Sequence, residues 1–231
     1  HFLGTHLPLP AALPPGSILY NLEQCSAPVF EKTVDVARHL RCSVWDYSER
    51  NRAALREQAD LKSVLCRVGY APELECLLPD AQPIDVLLYG SMSIRRGTLI
   101  RELERSGWLV AFFFGAYGIV RDRVIAQSRI VVNAHREIDG VFEVVRCSYL
   151  MANRVPVVSE VGIDPDLEEP FRGESPGIAF ASYERLVETC SRLLRDDDER
   201  CALAQRGYEA IRRVPQVEEV RRALEETAAS R

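Results

Sequence analysis

From Ile130 to Val158 the chain writes a buried strand, a helix and a second buried strand, an order that calls for a parallel sheet. Ile130-Val131-Val132-Asn133-Ala134 is an apolar run that ends in a polar turn. Pro156 ends any helix before it, and Val155 to Val158 reads as the next strand. The spacing between them predicts a helix from about Asp139-Gly140 to Asn153, apolar nearly all round and therefore buried. Glu143, Arg146 and Asn153 fall within one arc of that helix, about 80° wide at roughly 100° per residue. A lone buried charge is expensive, so these groups need partners. One reading is a structural Glu–Arg pair. The other is a set of groups facing a polar ligand at the carboxyl end of the sheet, where open α/β folds bind ligands. His135 ends its strand on the same edge and favours the ligand.

The alternation runs through the rest of the chain. Strands are predicted over 17–22, 43–47 and 63–68, with helices over 29–40 and 49–58. The first helix should turn Val29, Val36 and Leu40 inward. The second is capped by Ser48, with Asn51, Arg52 and Arg56 outward. Further on, strands over 84–89, 109–114, 130–134, 155–158 and 177–181 alternate with helices. Residues 73–83, with Pro79 and Pro83, read as a connector. The predicted class is α/β: one parallel-sheet domain over 1–78, a second over 79–213, and a tail or helix over 214–231.

Composition narrows the function. With 231 residues, 47% of them hydrophobic, there is enough apolar surface for one domain or two small ones. A net charge of −5 without long runs advertises no nucleic-acid face. Seven scattered cysteines, never in CxxC, suggest a reducing, cytoplasmic setting and no zinc site. No apolar stretch approaches about 18 residues, so no transmembrane segment is expected. No secretory leader is read, and a first residue of His1 rather than Met leaves room for residues upstream. There is no GxSxG elbow and no HExxH, and the histidines are too dispersed for a metal cluster.

Several turns can carry chemistry. Gly90-Ser91, after the strand at 84–89, lets the backbone approach a ligand, and the helix beyond offers unpaired N–H groups to an anion. Arg95 and Arg96 in the same turn can clamp a diphosphate; the bland alternative is two surface arginines. Gly115 to Gly118, with Tyr117, is a second glycine turn on that edge, or a plain flexible loop. Asn21 and Glu23 follow the first strand as a binding lip or an ordinary turn. Gly4 and His6 lie in the proline-rich opening, as the rim of a site or a simple connection. Asp196-Asp197-Asp198 reads as a solvated turn that caps a helix.

Longer stretches carry a resemblance. YNLEQ (Tyr20 to Gln24), VWDYSERN (Val44 to Asn51), GYAPEL (Gly69 to Leu74), IDVLLYGSMSIRRG (Ile84 to Gly97), FFGAYGIVRDRVIAQSRIVVNAH (Phe113 to His135) and FEVVRCSYLMANRVPVVSE (Phe142 to Glu160) are similar to GT-B-type glycosyltransferases. The chain resembles a bacterial, group-1-like branch of them over roughly residues 1–212. The resemblance implies two Rossmann-like domains of GT-B type, the first shortened and on the acceptor side, the second holding a nucleotide-sugar donor. Gly90-Ser91 matches the loop facing the diphosphate, and Arg96-Gly97 stands where relatives carry Lys-Gly. Ser148 to Val158 matches Leu-Glu-Ala-Met-Ala-x-Gly-x-Pro-Val-Val, except that Tyr149 replaces the glutamate that holds the ribose and Asn153-Arg154 replaces a small residue and glycine.

The expected activity is metal-independent sugar transfer from a nucleotide-sugar to a glycan, lipid-linked sugar or protein, with no cofactor and retention by family analogy. Arg95 and Arg96 are expected at the diphosphate. His135, Glu143 and Arg146 are the expected catalytic residues, Glu143 and Arg146 at the sugar or ribose and His135 at the sugar or phosphate near the cleft. Gly90, Ser91, Gly115, Tyr117, Tyr149 and Asn153 complete the donor site, and His6, Asn21 and Glu23 the acceptor side. The first half is short, so either a piece is missing upstream or a partner protein or domain completes the cleft. The competing reading is a non-catalytic GT-B-like module that binds a nucleotide or a protein; a third is a sugar-nucleotide epimerase.

Overall fold

Alternate residues of a β-strand face opposite sides, and in Ser43–Asp46 both sides are buried: Val44 is 3% and Trp45 0% exposed. A strand of that kind needs cover on two faces. The computed structural model, which describes residues 14, 16–25 and 29–229, shows how the cover is supplied. His6, Gly4 and the side chain of Val29 lie outside the described residues.

The chain divides into two compact units, residues 1–69 with 214–231, and residues 70–213. In the first, β1 (Ile18–Asn21), β2 (Ser43–Asp46) and β3 (Ser63–Leu65) form a parallel sheet in the order β1-β2-β3. Helices α1 (Val29–Leu40) and α2 (Glu49–Ala59) bring Phe30, Val36, Ala37, Ala54 and Leu55 onto Leu19 and Val44. Ser48 caps α2 as predicted, its side chain accepting from Asn51 N at 3.3 Å.

The other face belongs to a C-terminal helix. It covers Trp45, whose indole N–H donates to Thr227 Oγ1 at 2.9 Å, and Ala223 packs with Trp45, Val64 and Cys66. The helix Gln216–Ala229 therefore packs as part of the first unit.

The second unit carries β4 (Ile84–Tyr89), α3 (Ile94–Arg105), β5 (Val110–Phe113), α4 (Gly118–Ala126), β6 (Ser128–Asn133), α5 (Val144–Ala152), β7 (Val157–Glu160), β8 (Ala179–Ala181), α6 (Leu186–Arg195) and α7 (Asp197–Arg212). Its strands are parallel in the order β5-β4-β6-β7-β8. From β4 the chain moves outward to β5 and then returns to β6 on the other side of β4. The order reverses between β4 and β6, and the crevice at their carboxyl ends is where such sheets take ligands.

Two boundaries differ from the sequence reading. The units divide at Gly69/Tyr70, upstream of the expected connector, because Asn153 ties residues 74–77 to the second unit. Its Oδ1 accepts from Cys76 N and Leu77 N, both at 2.9 Å, and its Nδ2 donates to Leu74 O at 2.6 Å. Helix α5 begins at Val144 rather than near Asp139. The segment before it is non-helical so that Phe142, fully buried, can pack on Phe171 and Phe180 at 5.7 and 5.3 Å. Among the described residues no helix is long and apolar enough to cross a membrane.

The end of β2 holds a buried carboxyl. Asp46 is 0% exposed, and it accepts from Asn21 Nδ2 at 2.7 Å and Ser48 N at 2.9 Å. Burial raises its pKa from 3.8 to about 7 despite those bonds, which favour the anion. The folded state thus holds this proton more tightly than the unfolded chain. Asp46 contributes fully below pH 3.8, and the contribution is lost as pH rises through about 7. Followed by Trp45 fluorescence in a Trp108→Phe background, the melting temperature of the first unit should fall between about pH 4 and about pH 7. Asp46→Asn should flatten that slope; an unchanged slope would show that Asp46 does not cause it.

Candidate functional site

Gly90 follows β4 with φ +116°, a conformation that L side chains rarely adopt. A Cβ placed there would lie 2.9 Å from Arg146 Nη2 and 3.1 Å from Arg96 Nη1. Two guanidiniums thus close over a bare Cα at the carboxyl end of β4.

Arg96 is held from below. It lies in the first turn of α3, whose cap Ser93 accepts from Arg96 N at 3.3 Å. Its Nε donates to Ala134 O at 2.8 Å, its Nη1 to Ser91 O at 2.8 Å, and its Nη2 to Glu143 Oε1 at 3.0 Å. The residue is only 4% exposed, and burial lowers its pKa while Glu143 supports the charge. Arg96 ties the ends of β4 and β6 together and spends three donor atoms on doing so.

Glu143, at the start of α5, meets Arg146 with its other oxygen, at 2.7 Å. Arg146 Nη1 donates to Asn133 Oδ1 at 3.2 Å, and its guanidinium carbon lies 4.8 Å from the Tyr89 ring centroid. Two cations share one carboxylate, which leaves the cluster with a net positive charge at the sheet's reversal point. A guanidinium has five N–H donors, so Arg146 keeps donors beyond those it gives Glu143 and Asn133.

Arg95 points elsewhere, as consecutive helical residues do, roughly 100° apart. It pairs with Glu160 and lies 4.1 Å over the Tyr183 ring. Glu160, at the end of β7, also accepts from His135 N at 2.8 Å. In the sequence the signal for Glu160 is a carboxylate closing the apolar run Val155 to Val158.

His135 is 1% exposed beneath Gly140, where a Cβ would approach its ring to 2.6 Å. Neither imidazole nitrogen has a hydrogen-bond partner among the described residues. Burial lowers its pKa, against the pull of Glu160, Glu143 and Glu168. The ring is walled off, so in this conformation it does not reach a ligand as the catalytic role requires.

Other expected residues disperse. Asn153 brackets residues 74–77, and Tyr149 sits by Cys76 Sγ at 3.1 Å and under Arg121 at 4.5 Å. Tyr117 is 77% exposed at the start of α4, and Gly115 has open space where a Cβ would stand. Asn21 is buried and bonded to Asp46, Thr33 and the Glu23 backbone, so it holds the first unit together rather than forming a lip. Asn51 is also buried, not outward; it donates to Glu23 O at 2.8 Å and accepts from Cys25 N at 2.9 Å.

Residues 122–225 match the sequence model of the family described as glycosyl transferase-like. The chain is 31% identical over 186 residues to the uncharacterized protein L140 of Acanthamoeba polyphaga mimivirus, a match covering 77% of this chain and 59% of that one. It is similar to a sucrose-phosphate synthase of Thermosynechococcus elongatus, with TM-score 0.57 and 14% identity over 92% of this chain and 66% of that one. It is also similar to Anabaena HepE, solved in complex with UDP, with TM-score 0.55 and 15% identity over 93% of this chain and 72% of that one. The fold is that of the GT-B glycosyltransferases. Within this GT-B fold the Gly90 cluster occupies the reversal point of the second sheet. The relative L140 is viral and does not confirm the bacterial branch to which the resemblance pointed, and the chain spans 59% of its length.

Gly90→Ala should destabilise the second unit, chiefly through its backbone angle. The added carbon meets two guanidiniums and a backbone angle it cannot relax into. The destabilisation expected is about 1–3 kcal/mol for strain of this kind. Thermal melting measures it, and a wild-type midpoint would show that the guanidiniums do not crowd that position.

Proposed function

We propose that the chain transfers a sugar from a nucleoside-diphosphate sugar, with the diphosphate seated over Gly90 against Arg146. The observation that carries this reading is the pair of guanidiniums, sharing a single carboxylate, at the one point where the strand order reverses. The sequence family matched over residues 122–225 and the GT-B fold support sugar transfer in general. UDP is the first donor nucleotide to test, because the HepE neighbour was solved with it.

In the transfer, the sugar's C1 gains a bond to the acceptor's nucleophilic atom, its bond to the diphosphate oxygen breaks, and negative charge grows on the leaving diphosphate. Arg146 is placed to meet that charge with spare N–H donors, in a site already shaped before the reaction. The positive charge comes from side chains, so transfer is expected to persist in EDTA. Arg96 acts beneath as a positioning residue, and Glu143 holds both arginines at the right spacing. Retention of configuration is carried over from the resemblance, by analogy.

A second reading, a binding module without turnover, is favoured by the walled-off His135 ring and by the diversion of Tyr149 and Asn153. Turnover of a panel of UDP-, GDP- and TDP-sugars separates the two. Transfer or hydrolysis of any donor supports the enzyme; binding without either supports the module.

The arginines should respond differently to mutation. Arg146→Ala should weaken UDP about 10- to 100-fold, the loss of one charge-assisted contact of about 1.5–3 kcal/mol, by calorimetry. Arg96→Ala should also lower the melting temperature, because it removes a nearly buried ion pair and orphans the carbonyls of Ser91 and Ala134; about 3–5 kcal/mol is expected. Unchanged UDP affinity in Arg146→Ala would remove that arginine from the site.

A further inference from the structure

The sheet of the second unit ends at β8, and no strand among the described residues pairs its outer edge. Ala181 O faces inward and accepts from Val161 N at 2.9 Å. Alternation then turns the peptide groups of Phe180 toward the open side. There Phe180 N makes only a local bond to Ile178 O, at 3.2 Å.

A cavity of about 610 Å³ runs along this edge, and its lining includes Ile178 to Ser182. Four arginines line it, Arg172, Arg185, Arg192 and Arg206, against one carboxylate, Glu199. Two of them are committed: Arg206 to Glu199 at 3.0 Å and to Pro176 O at 2.9 Å, and Arg172 to Glu168 and the Phe180 ring. The other two are available. Arg185 meets Glu188 at 3.1 Å with both side chains 69% exposed, a weak contact in water. Arg192 has no ion-pair partner among the described residues. Arg185, Thr189 and Arg192 stand at i, i+4 and i+7 along one face, so they present a single basic wall opposite the strand edge.

We infer that this groove binds an extended acidic segment of another protein as an added strand beside β8. Backbone pairing along the edge supplies the register, and carboxylates reach Arg185 and Arg192. The two features select together. A polyphosphate or nucleic acid would use the arginines but not the edge, and a neutral strand would use the edge but not the arginines. The groove lies at β8, the far end of the sheet from β5, and is separate in its residues from the Gly90 cluster.

The test uses the full chain and a fluorescently labelled short peptide of alternating Glu and Thr, read by anisotropy. Binding is expected. An N-methylated version of the same peptide keeps the charge and loses its backbone donors; it should bind at least about tenfold more weakly. The Arg185→Glu/Arg192→Glu variant should show a loss of similar size and keep the UDP affinity of the parent, since both side chains are exposed. The proposal is overturned if the N-methylated peptide binds as well as the parent. It is equally overturned if inorganic polyphosphate competes as tightly as the peptide, or if no binding appears at millimolar peptide. Self-association that the double variant abolishes would make the occupant a second copy of the chain, and would likewise overturn it.

Discussion

Glu143 carries one negative charge and touches two guanidiniums, and the edge of the second sheet is shaped by satisfying all three. Arg96 is almost wholly removed from water, which an isolated cation does not tolerate. Glu143 answers it on one side, while Ser91 O and Ala134 O accept from two more of its N–H groups. Those carbonyls belong to the chain just after β4 and β6, so the ion pair also sets the spacing of the crevice. Gly90 follows from the same constraint, since no side chain fits beneath the two guanidiniums. Local conformation, packing and charge therefore agree at one place, and the surplus positive charge is what a diphosphate would meet.

The first unit rests on a different arrangement. Its three strands bury both faces, and the C-terminal helix supplies the second cover through Trp45 and Ala223. Around the strand ends, Asn21, Asp46 and Asn51 bond to one another and to the chain after β1. That network uses the polar groups a binding lip would need, which makes its residues supports rather than contacts.

Helices and strands were legible wherever the signal was local. The helix Val29–Leu40 falls where apolar spacing predicts it, and Ser48 and Asp196 cap their helices as their residue types suggest. The glycine turn at Gly90 and the Glu143–Arg146 pair were legible too, because both are short-range patterns. What could not be read was which distant atom a long side chain reaches. Arg95 and Arg96 are neighbours in sequence but go to Glu160 and Glu143, on different elements. Asn153 turns to the backbone of residues 74–77, and Glu160 gains its role only when β7 lies beside β6. The placement of residues 214–231 likewise depends on a sheet face that exists only after folding.

If the chain takes a sugar donor as proposed, the donor's diphosphate sits over Gly90. A crystal structure of the full chain with UDP tests it most directly. Phosphate oxygens are expected over the Gly90-Ser91 turn and within hydrogen-bond reach of Arg146, with Arg96 still bound to Ser91, Ala134 and Glu143. A diphosphate held away from Gly90, with the Arg146 guanidinium still turned only to Glu143 and Asn133, would contradict it.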